Sequence, residues 1–261
     1  CPLFDRIGKS LHLNSTGRGL LLQAESLLAR AADIESYLNG GTLGPLAVGA
    51  TLTIGNYLAT LIVADYLRLH PTSKISLHVA NTLSIVEQLK RFELDIGLIE
   101  GEANDPELLL EPWLDDALVV FCAPQHELAS TNKIDEATLS RQNWIVRERG
   151  SGTRALFDRI IAQALPGLHI QLELEHTEAI KRAVESGLGI GCLSRLSLRE
   201  AFRRGSLVEI PTPQFDLGRH FYFAHHRQRQ LSPATQTFLA LCRETSGAAS
   251  GTDTLPLPFI R

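Results

Sequence analysis

Several side chains at predicted strand-to-helix junctions have the chemistry to bind a small anion. Hydroxyl and amide groups stand there beside N–H groups that lack a partner in the first turn of a helix. Such a terminus stabilises an anion by about 0.3–1 kcal/mol, and several could share one cleft. The segments GATLTIGN, VANTLSIVEQ, RERGSGTR and LEHTEAIKR supply Thr51, Thr53, Asn81, Thr82, Gly150, Ser151, Gly152, Thr153 and Thr177. Helix capping alone is the alternative explanation for each junction.

Charged residues accompany these junctions. Glu100, in LIEGE, follows a predicted strand and could accept a hydrogen bond from a protonated anion or from water. It could equally pair with Arg147 or Arg149 across a cleft. The roles of Arg147 and Glu148 therefore stay open between ligand contacts and ion-pair partners.

Catalytic motifs are not evident. GSGTR lacks the spacing of a phosphate loop, GxSxG and HExxH are missing, and GLGIG at 187–191 follows a helix instead of opening one. Four widely separated cysteines give no metal-ligand spacing and fit a reduced, cytoplasmic chain. We predict no catalytic residue, metal or cofactor. Net charge −4 excludes a polycation that binds nucleic acid along its whole surface, and no apolar run reaches the ~18 residues of a membrane span.

The elements that must position these residues alternate between strands and helices from residue 45 onward. This order predicts an α/β fold with parallel sheets, in two consecutive blocks that form two lobes. In such sheets ligands lie beyond the carboxyl ends of the strands, where the junctions above are found.

A long helix precedes the lobes. Its apolar residues repeat with the 4-3-4-3-4 spacing of a coiled-coil seam, which favours a dimerising rod over a helix packed on its own domain. The seam consists of Leu20, Ala24, Leu27, Ala31, Ile34 and Leu38. Three cations before or at its start, Arg6, Lys9 and Arg18, could contact DNA phosphates or could be solvated. The tail SGAASGTDTLPLP is rich in small residues and proline, which predicts disorder.

The segments LFDRIGKSLHLNSTGRGLL and VESGLGIGCLS, in this order, resemble LysR-type transcriptional regulators over residues 1 to about 245. The resemblance implies a winged helix-turn-helix that is mostly missing, a linker helix, and an effector domain like a type 2 periplasmic binding protein. We therefore expect the chain to begin inside a longer protein that binds promoter DNA as a homodimer or homotetramer. The expected domains are a wing remnant at 1–15, the linker helix at 16–41, lobe I at 45–124 and 217–246, lobe II at 125–216, and a disordered tail at 247–261.

Further segments, among them TIGNYL, EPWLDDALVVF and WIVRERGSGTR, are similar to the YeiE/CysL-like branch of that family, which is associated with sulfur metabolism. The likeness implies a sulfite- or sulfate-like effector. Its contacts would fall on the junction residues above, together with Leu52, Glu100 and His176. A free-standing solute-binding protein and an enzyme on the same fold are the alternatives to a regulator.

Overall fold

The computed structural model describes residues 1–8, 10–38, 43–101, 103, 105–131, 134–247 and 249–255. The chain opens with an antiparallel hairpin of β1 (Phe4–Ile7) and β2 (Ser10–Leu13), followed by the long helix α1 (Ser15–Leu38). Asn14 begins this helix, because its side-chain oxygen accepts a hydrogen bond from the backbone N–H of Gly17 at 2.8 Å.

The remaining described elements alternate as the sequence predicts. The helices are α2 (Leu52–Ile54), which continues through a π-helical turn at Gly55–Ala59 into α3 (Thr60–Leu69), α4 (Thr82–Lys90), α5 (Glu136–Ser140), α6 (Gly152–Phe157), α7 (Thr177–Glu185), α8 (Arg195–Arg204) and α9 (Pro233–Ser246). The strands are β3 (Leu46–Thr51), β4 (Ile75–Ala80), β5 (Ile96–Glu100), β6 (Leu108–Cys122), β7 (Asn143–Arg147), β8 (His169–Leu174), β9 (Ile190–Ser194), β10 (Val208–Ile210) and β11 (Gly218–His226).

Eight of these strands follow one path, in the order β4-β3-β5-β11-β6-β9-β7-β8, and β10 pairs with β6. The strands β3, β4 and β5 are parallel to one another, as are β7, β8 and β9. Between the two parallel groups lie β11 and β6, which are antiparallel to each other and to their outer neighbours. Apolar clusters cover both faces of each parallel group, so the central strands are buried on both sides. The predicted α/β fold is confirmed.

The long strand β6 carries the chain from one lobe to the other. Its later residues Leu118, Val120 and Cys122 pack in the apolar cluster of the second lobe and pair with β9 or β10. The crossing therefore lies within β6, before the boundary at residue 124 that we placed from the sequence. Alternation of strands and helices cannot locate a crossing inside one continuous strand.

The segment after α9 corrects the predicted disordered tail. Ser250 accepts a backbone hydrogen bond from Asp115 at 3.0 Å, Thr252–Thr254 form a 3₁₀ turn, and Leu255 is 2% exposed in the core of the first lobe. Composition cannot indicate this docking, because it depends on partners elsewhere in the fold, here Asp115 and the apolar core around Leu255. Residues 248 and 256–261 lie outside the described part of the chain.

None of the helices within the described ranges combines the length and the apolar character that crossing a membrane requires.

Candidate functional site: a charged network between the lobes

Each predicted junction lies at the end of a strand, where a helix begins. Thr51 ends β3 and Thr53 lies in the helix that follows, both buried. Asn81 caps α4 by accepting from Ser84 N at 3.0 Å, and Ser151 caps α6 by accepting from Arg154 N at 3.0 Å. The asparagine and serine oxygens therefore already serve the helices, as the capping explanation predicts.

The fourth junction differs from those at Asn81 and Ser151, because Thr177 does not cap α7. His176 occupies the cap position, is exposed and makes no side-chain cap hydrogen bond, while Thr177 is the first helical residue. Thr177 is 2% exposed, and its hydroxyl has no hydrogen-bond partner among the residues that the structure describes. A buried hydroxyl without a partner is unfavourable by about 1–3 kcal/mol, so it marks a place where a ligand could bind.

Glu100 is the centre of the polar network. Its Oε1 accepts from the backbone N–H of Thr53 at 2.8 Å, and its Oε2 accepts from the hydroxyl of Thr153 at 3.1 Å. The Nη1 of Arg219 lies 2.8 Å from the same Oε2. This carboxylate thus joins the first lobe, the second lobe and the strand β11 at one point.

Arg219 is held by a second carboxylate. Its Nε donates to Asp116 Oδ2 at 2.8 Å, and its Nη1 also donates to Thr153 Oγ1 at 3.1 Å. The Nη2 atom is buried and finds no hydrogen-bond partner within the described ranges. One guanidinium therefore faces two buried carboxylates and keeps a further N–H pair for another acceptor.

The opposite charges in this network determine the protonation states of Glu100 and Arg219. Burial by itself would raise the pKa of Glu100, but the positive charges of Arg219 and Arg147 and the hydrogen bonds from Thr53 outweigh it and lower that pKa. Burial would lower the pKa of Arg219, yet Glu100 and Asp116 raise it. Both groups are therefore ionised at neutral pH.

The ion-pair partner of Glu100 is Arg219, and not Arg147 or Arg149 as the sequence left open. Arg147 instead forms a bidentate pair with the adjacent Glu148, at 2.7 and 2.9 Å. Arg149 is exposed. Arg147 nevertheless lies near enough for its charge to lower the pKa of Glu100.

Two further contacts hold the lobes together. On one side, Gly152 N donates to Thr82 Oγ1 at 3.1 Å and Leu83 N donates to Gly150 O at 3.1 Å. Gly150 has a φ of +94°, which favours glycine, and a Cβ on Gly152 would come within 2.1 Å of the carbonyl oxygen of Glu100. The two glycines therefore permit the close approach of the lobes at this point.

On the other side, Tyr57 in the helix after β3 donates to Glu178 in the first turn of α7. Lys181 donates to the same carboxylate at 2.7 Å and to Ser197 O at 3.1 Å. This contact joins the second turn of the helix after β3 to the first turn of α7, beside Thr177.

A cavity of about 740 Å³ lies next to the network and includes Glu100 and Arg219 in its wall. Among the predicted site residues, Thr82, Gly150, Ser151 and Gly152 also line it. The wall also contains apolar side chains from both lobes, among them Leu83, Val86, Leu156 and Tyr222. Charged side chains line it as well, including those of Arg149, Arg154 and Arg159. Thr51, Leu52, Thr53, Asn81, Arg147, Glu148, Thr153, His176 and Thr177 are not part of this wall as the structure describes it.

The predicted DNA-contacting and dimerising residues lie apart from this network. Arg6 and Arg18 are exposed near the hairpin, where they donate to the carbonyls of Gly8 and Leu13, and Lys9 lies outside the described residues. Along α1, Ala31 is also exposed, Ala24 is half-buried, and Leu20, Leu27 and Ile34 are 46, 64 and 61% exposed. The side chain of Leu38 and the residues Gly40 and Gly41 are outside the described part. A partner helix would cover this apolar seam.

Sequence reasoning missed Arg219 and Asp116, although a local signal was present. In β11, Arg219 lies on the same face of the strand as the buried Phe221 and Phe223, because the three residues are spaced two apart. In β6, Asp116 likewise alternates with the buried Leu114 and Leu118. A charge on the apolar face of a strand requires a buried partner, and this pattern identifies such residues.

Comparison with known proteins adds a family match. The family model described as the LysR substrate binding domain matches residues 39–247. The HTH-type transcriptional regulator YeiE of Escherichia coli (strain K12) is 41% identical over 240 residues, which cover 92% of this chain and 81% of that protein. The HTH-type transcriptional regulator CysL of Bacillus subtilis is 28% identical over 244 residues, or 92% of this chain and 82% of that protein.

A solved structure has a similar fold. The regulatory domain of Synechocystis PCC6803 CcmR, in complex with 2-PG, superposes with a TM-score of 0.71 at 30% sequence identity. The match covers 78% of this chain and 98% of that domain.

Proposed function

The chain belongs to the LysR family of transcriptional regulators, and from this premise we propose that its effector is a small oxyanion, sulfite or sulfate, bound between the lobes. The anion would contact the helix starts at Thr51–Thr53 and at His176–Thr177. The residues Asn81, Thr82, Glu100, Arg147, Glu148 and 150–153 would shape the surrounding cleft. Thr177 carries this proposal.

The hydroxyl of Thr177 is buried at the positive end of α7 and has no partner in the described chain. The Tyr57–Glu178 contact brings this end of α7 to the helix that starts at Leu52. Two helix dipoles and an unpaired hydroxyl would therefore act on one small anion. Glu100 is an ionised carboxylate that already accepts from the Thr53 N–H, the Thr153 hydroxyl and Arg219. It would therefore fix the cleft, and the anion would use the other donors at this helix start.

Anion binding would control transcription by favouring one arrangement of the lobes over another. Three contacts cross between the lobes: Gly152–Thr82, Tyr57–Glu178 and those of Glu100. An anion bound among them would change the relative stability of the alternative lobe arrangements. The exposed seam of α1 would pair with a second copy and carry the change to a winged helix-turn-helix on promoter DNA. We place this regulator in the bacterial cytoplasm.

Thr177→Val tests the site without removing a hydrogen bond of the described chain. Calorimetric titration with sulfite, sulfate and phosphate should show that the variant binds the preferred anion roughly tenfold more weakly, a loss of about 1.4 kcal/mol. Its melting temperature without anion should stay the same or rise, because the unpaired hydroxyl is gone. Ser73→Ala, which removes a buried hydroxyl ahead of β4, is the control and should keep the wild-type affinity. Equal affinity in Thr177→Val and wild type would place the anion elsewhere.

A second candidate effector is a small organic acid with a phosphate or carboxylate group. The 740 Å³ cavity is of the size that proteins use for organic ligands, and it combines apolar side chains with Arg219. The related CcmR domain was solved in complex with 2-PG. Thermal shift with 2-PG against sulfite separates the two candidates, because a ligand that binds only the folded state raises its melting temperature. If 2-PG alone stabilises the protein, and Arg149→Gln weakens that effect, the organic acid is the effector.

A further inference from the structure

The segment 249–255, beyond the residues that the family model matches, packs against the charged network. It runs beside β6 where that strand crosses between the lobes, with Gly251 bridged to Asp115. Leu255 is buried in the core of the first lobe. We call residues 249–255 the strap.

One side chain of the strap reaches the network directly. The hydroxyl of Thr252 is 2.8 Å from Asp116 Oδ1, which also accepts from Ser194 Oγ at 2.7 Å. Thr252 is 2% exposed, so water does not replace this contact. Two hydroxyls therefore hold one oxygen of Asp116, and the other oxygen holds Arg219 Nε at 2.8 Å.

This chain of contacts determines how the guanidinium of Arg219 is oriented. A guanidinium is planar, so fixing its Nε on Asp116 also fixes the directions of Nη1 and Nη2. Nη1 reaches Glu100 and Thr153, and Nη2 is the buried donor without a partner in the described residues. A rotated Asp116 would misdirect the N–H groups of all three guanidinium nitrogens.

The strap also touches both lobes. Arg199 in α8 donates to the carbonyl of Leu255 at 3.0 Å, and Arg195 lies 3.7 Å from the carboxylate of Asp253. Because Leu255 packs in the first lobe, the strap bridges α8 to that lobe at the level of Asp116. A change in the lobe arrangement would therefore shift the strap and move Thr252 relative to Asp116.

We propose that the strap is part of the effector machinery and that Thr252 is a positioning residue, which holds Asp116 so that Arg219 is correctly aimed in the cleft. Its effect on anion affinity rests on the function proposed above. Its effect on Arg219 does not, and this difference allows the two to be tested separately.

The test follows the Nε–H proton of Arg219 by ¹⁵N NMR, with its signal assigned by its loss in Arg219→Lys. Thr252→Val keeps the shape of the side chain and removes the donor to Asp116. We expect hydrogen exchange at Arg219 Nε–H to become at least tenfold faster and sulfite affinity to fall about fivefold. Thr252→Ser should restore both, and Thr254→Val, the same change at an exposed position, should alter neither.

Unchanged exchange in Thr252→Val would overturn the proposal. Faster exchange in a protein that binds no sulfite would leave the strap in place and contradict the proposed effector. If Thr252→Val does not fold, Leu255→Ala decides by the same measurement, because it loosens the strap without touching Asp116. Wild-type exchange in that variant would equally refute a role for the strap.

Discussion

Replacing Gly152 by alanine should separate the lobes at the charged network. The new Cβ would lie 2.1 Å from the carbonyl oxygen of Glu100, whereas 3.0 Å is the practical minimum for such a contact. Backbone must therefore move by about 0.9 Å, the difference between these two distances, and neither backbone is a flexible side-chain end. The perturbation acts at the point where α6 of the second lobe meets β5 of the first.

The size of the effect follows from the contacts beside Gly152. If the shift moves Thr153 away from Glu100, their 3.1 Å hydrogen bond stretches to about 4.0 Å and is lost. A weakened contact to a buried carboxylate costs about 1–3 kcal/mol, and strain from overpacking adds about 1–3 kcal/mol. We expect the free energy of unfolding to fall by roughly 2–6 kcal/mol. For a chain of this size the melting temperature would drop by roughly 5–25 °C.

Urea unfolding and calorimetry on the wild type, Gly152→Ala and Gly218→Ala measure this effect. Gly218 precedes Arg219 and lines the same cavity, but a Cβ there would meet Asp216 Oδ1 at 3.3 Å, the end of a side chain that can move. The control should stay within about 0.5 kcal/mol of wild type. If Gly152→Ala is as stable as Gly218→Ala, the lobes are not held as closely at Glu100 as the structure indicates.

Two further predictions concern acid stability and assembly. The pKa of Glu100 is below its ordinary value of 4.5 in the folded chain, so its stabilisation is complete above about pH 4.5 and is lost as the pH falls through the folded pKa. Glu100→Gln should therefore lose less stability than wild type between pH 5.5 and 3 in urea unfolding, and parallel losses would contradict the ion pair with Arg219. Leu27→Asp, in the α1 seam, should dissociate the assembly in analytical ultracentrifugation, whereas Leu28→Asp, an equally exposed neighbour off the seam, should do so much less. Equal sedimentation of both variants and wild type would argue against pairing through this seam.

Residue spacing along the chain was sufficient to predict much of the fold. Alternating strands and helices predicted the α/β architecture, and the capping residues Asn81 and Ser151 lie at helix starts where the sequence placed the junctions. These features depend on neighbours within a few residues, which is the range over which capping, strand alternation and helix periodicity act. The effector roles of the junction residues stay predictions.

The docking of the strap shows the limit of composition. Small residues and proline predicted disorder for 247–261, but residues 249–255 pack against β6 and α8. Composition measures how much apolar surface a segment carries. It does not show whether the rest of the folded protein offers a surface on which Leu255 and Thr252 can pack.

The sequence by itself determined the α/β class, the helix seam and the positions of the hydroxyl-bearing junctions, because each is a local pattern. Only the tertiary structure decided which charges pair. Glu100, Asp116 and Arg219 are widely separated along the chain and meet because β11 inserts between β5 and β6 in antiparallel register. Thr252 joins them because Gly251 is bridged to Asp115 of β6. The partner of a buried charge depends on which strands lie side by side, and spacing within a single strand cannot specify that neighbour.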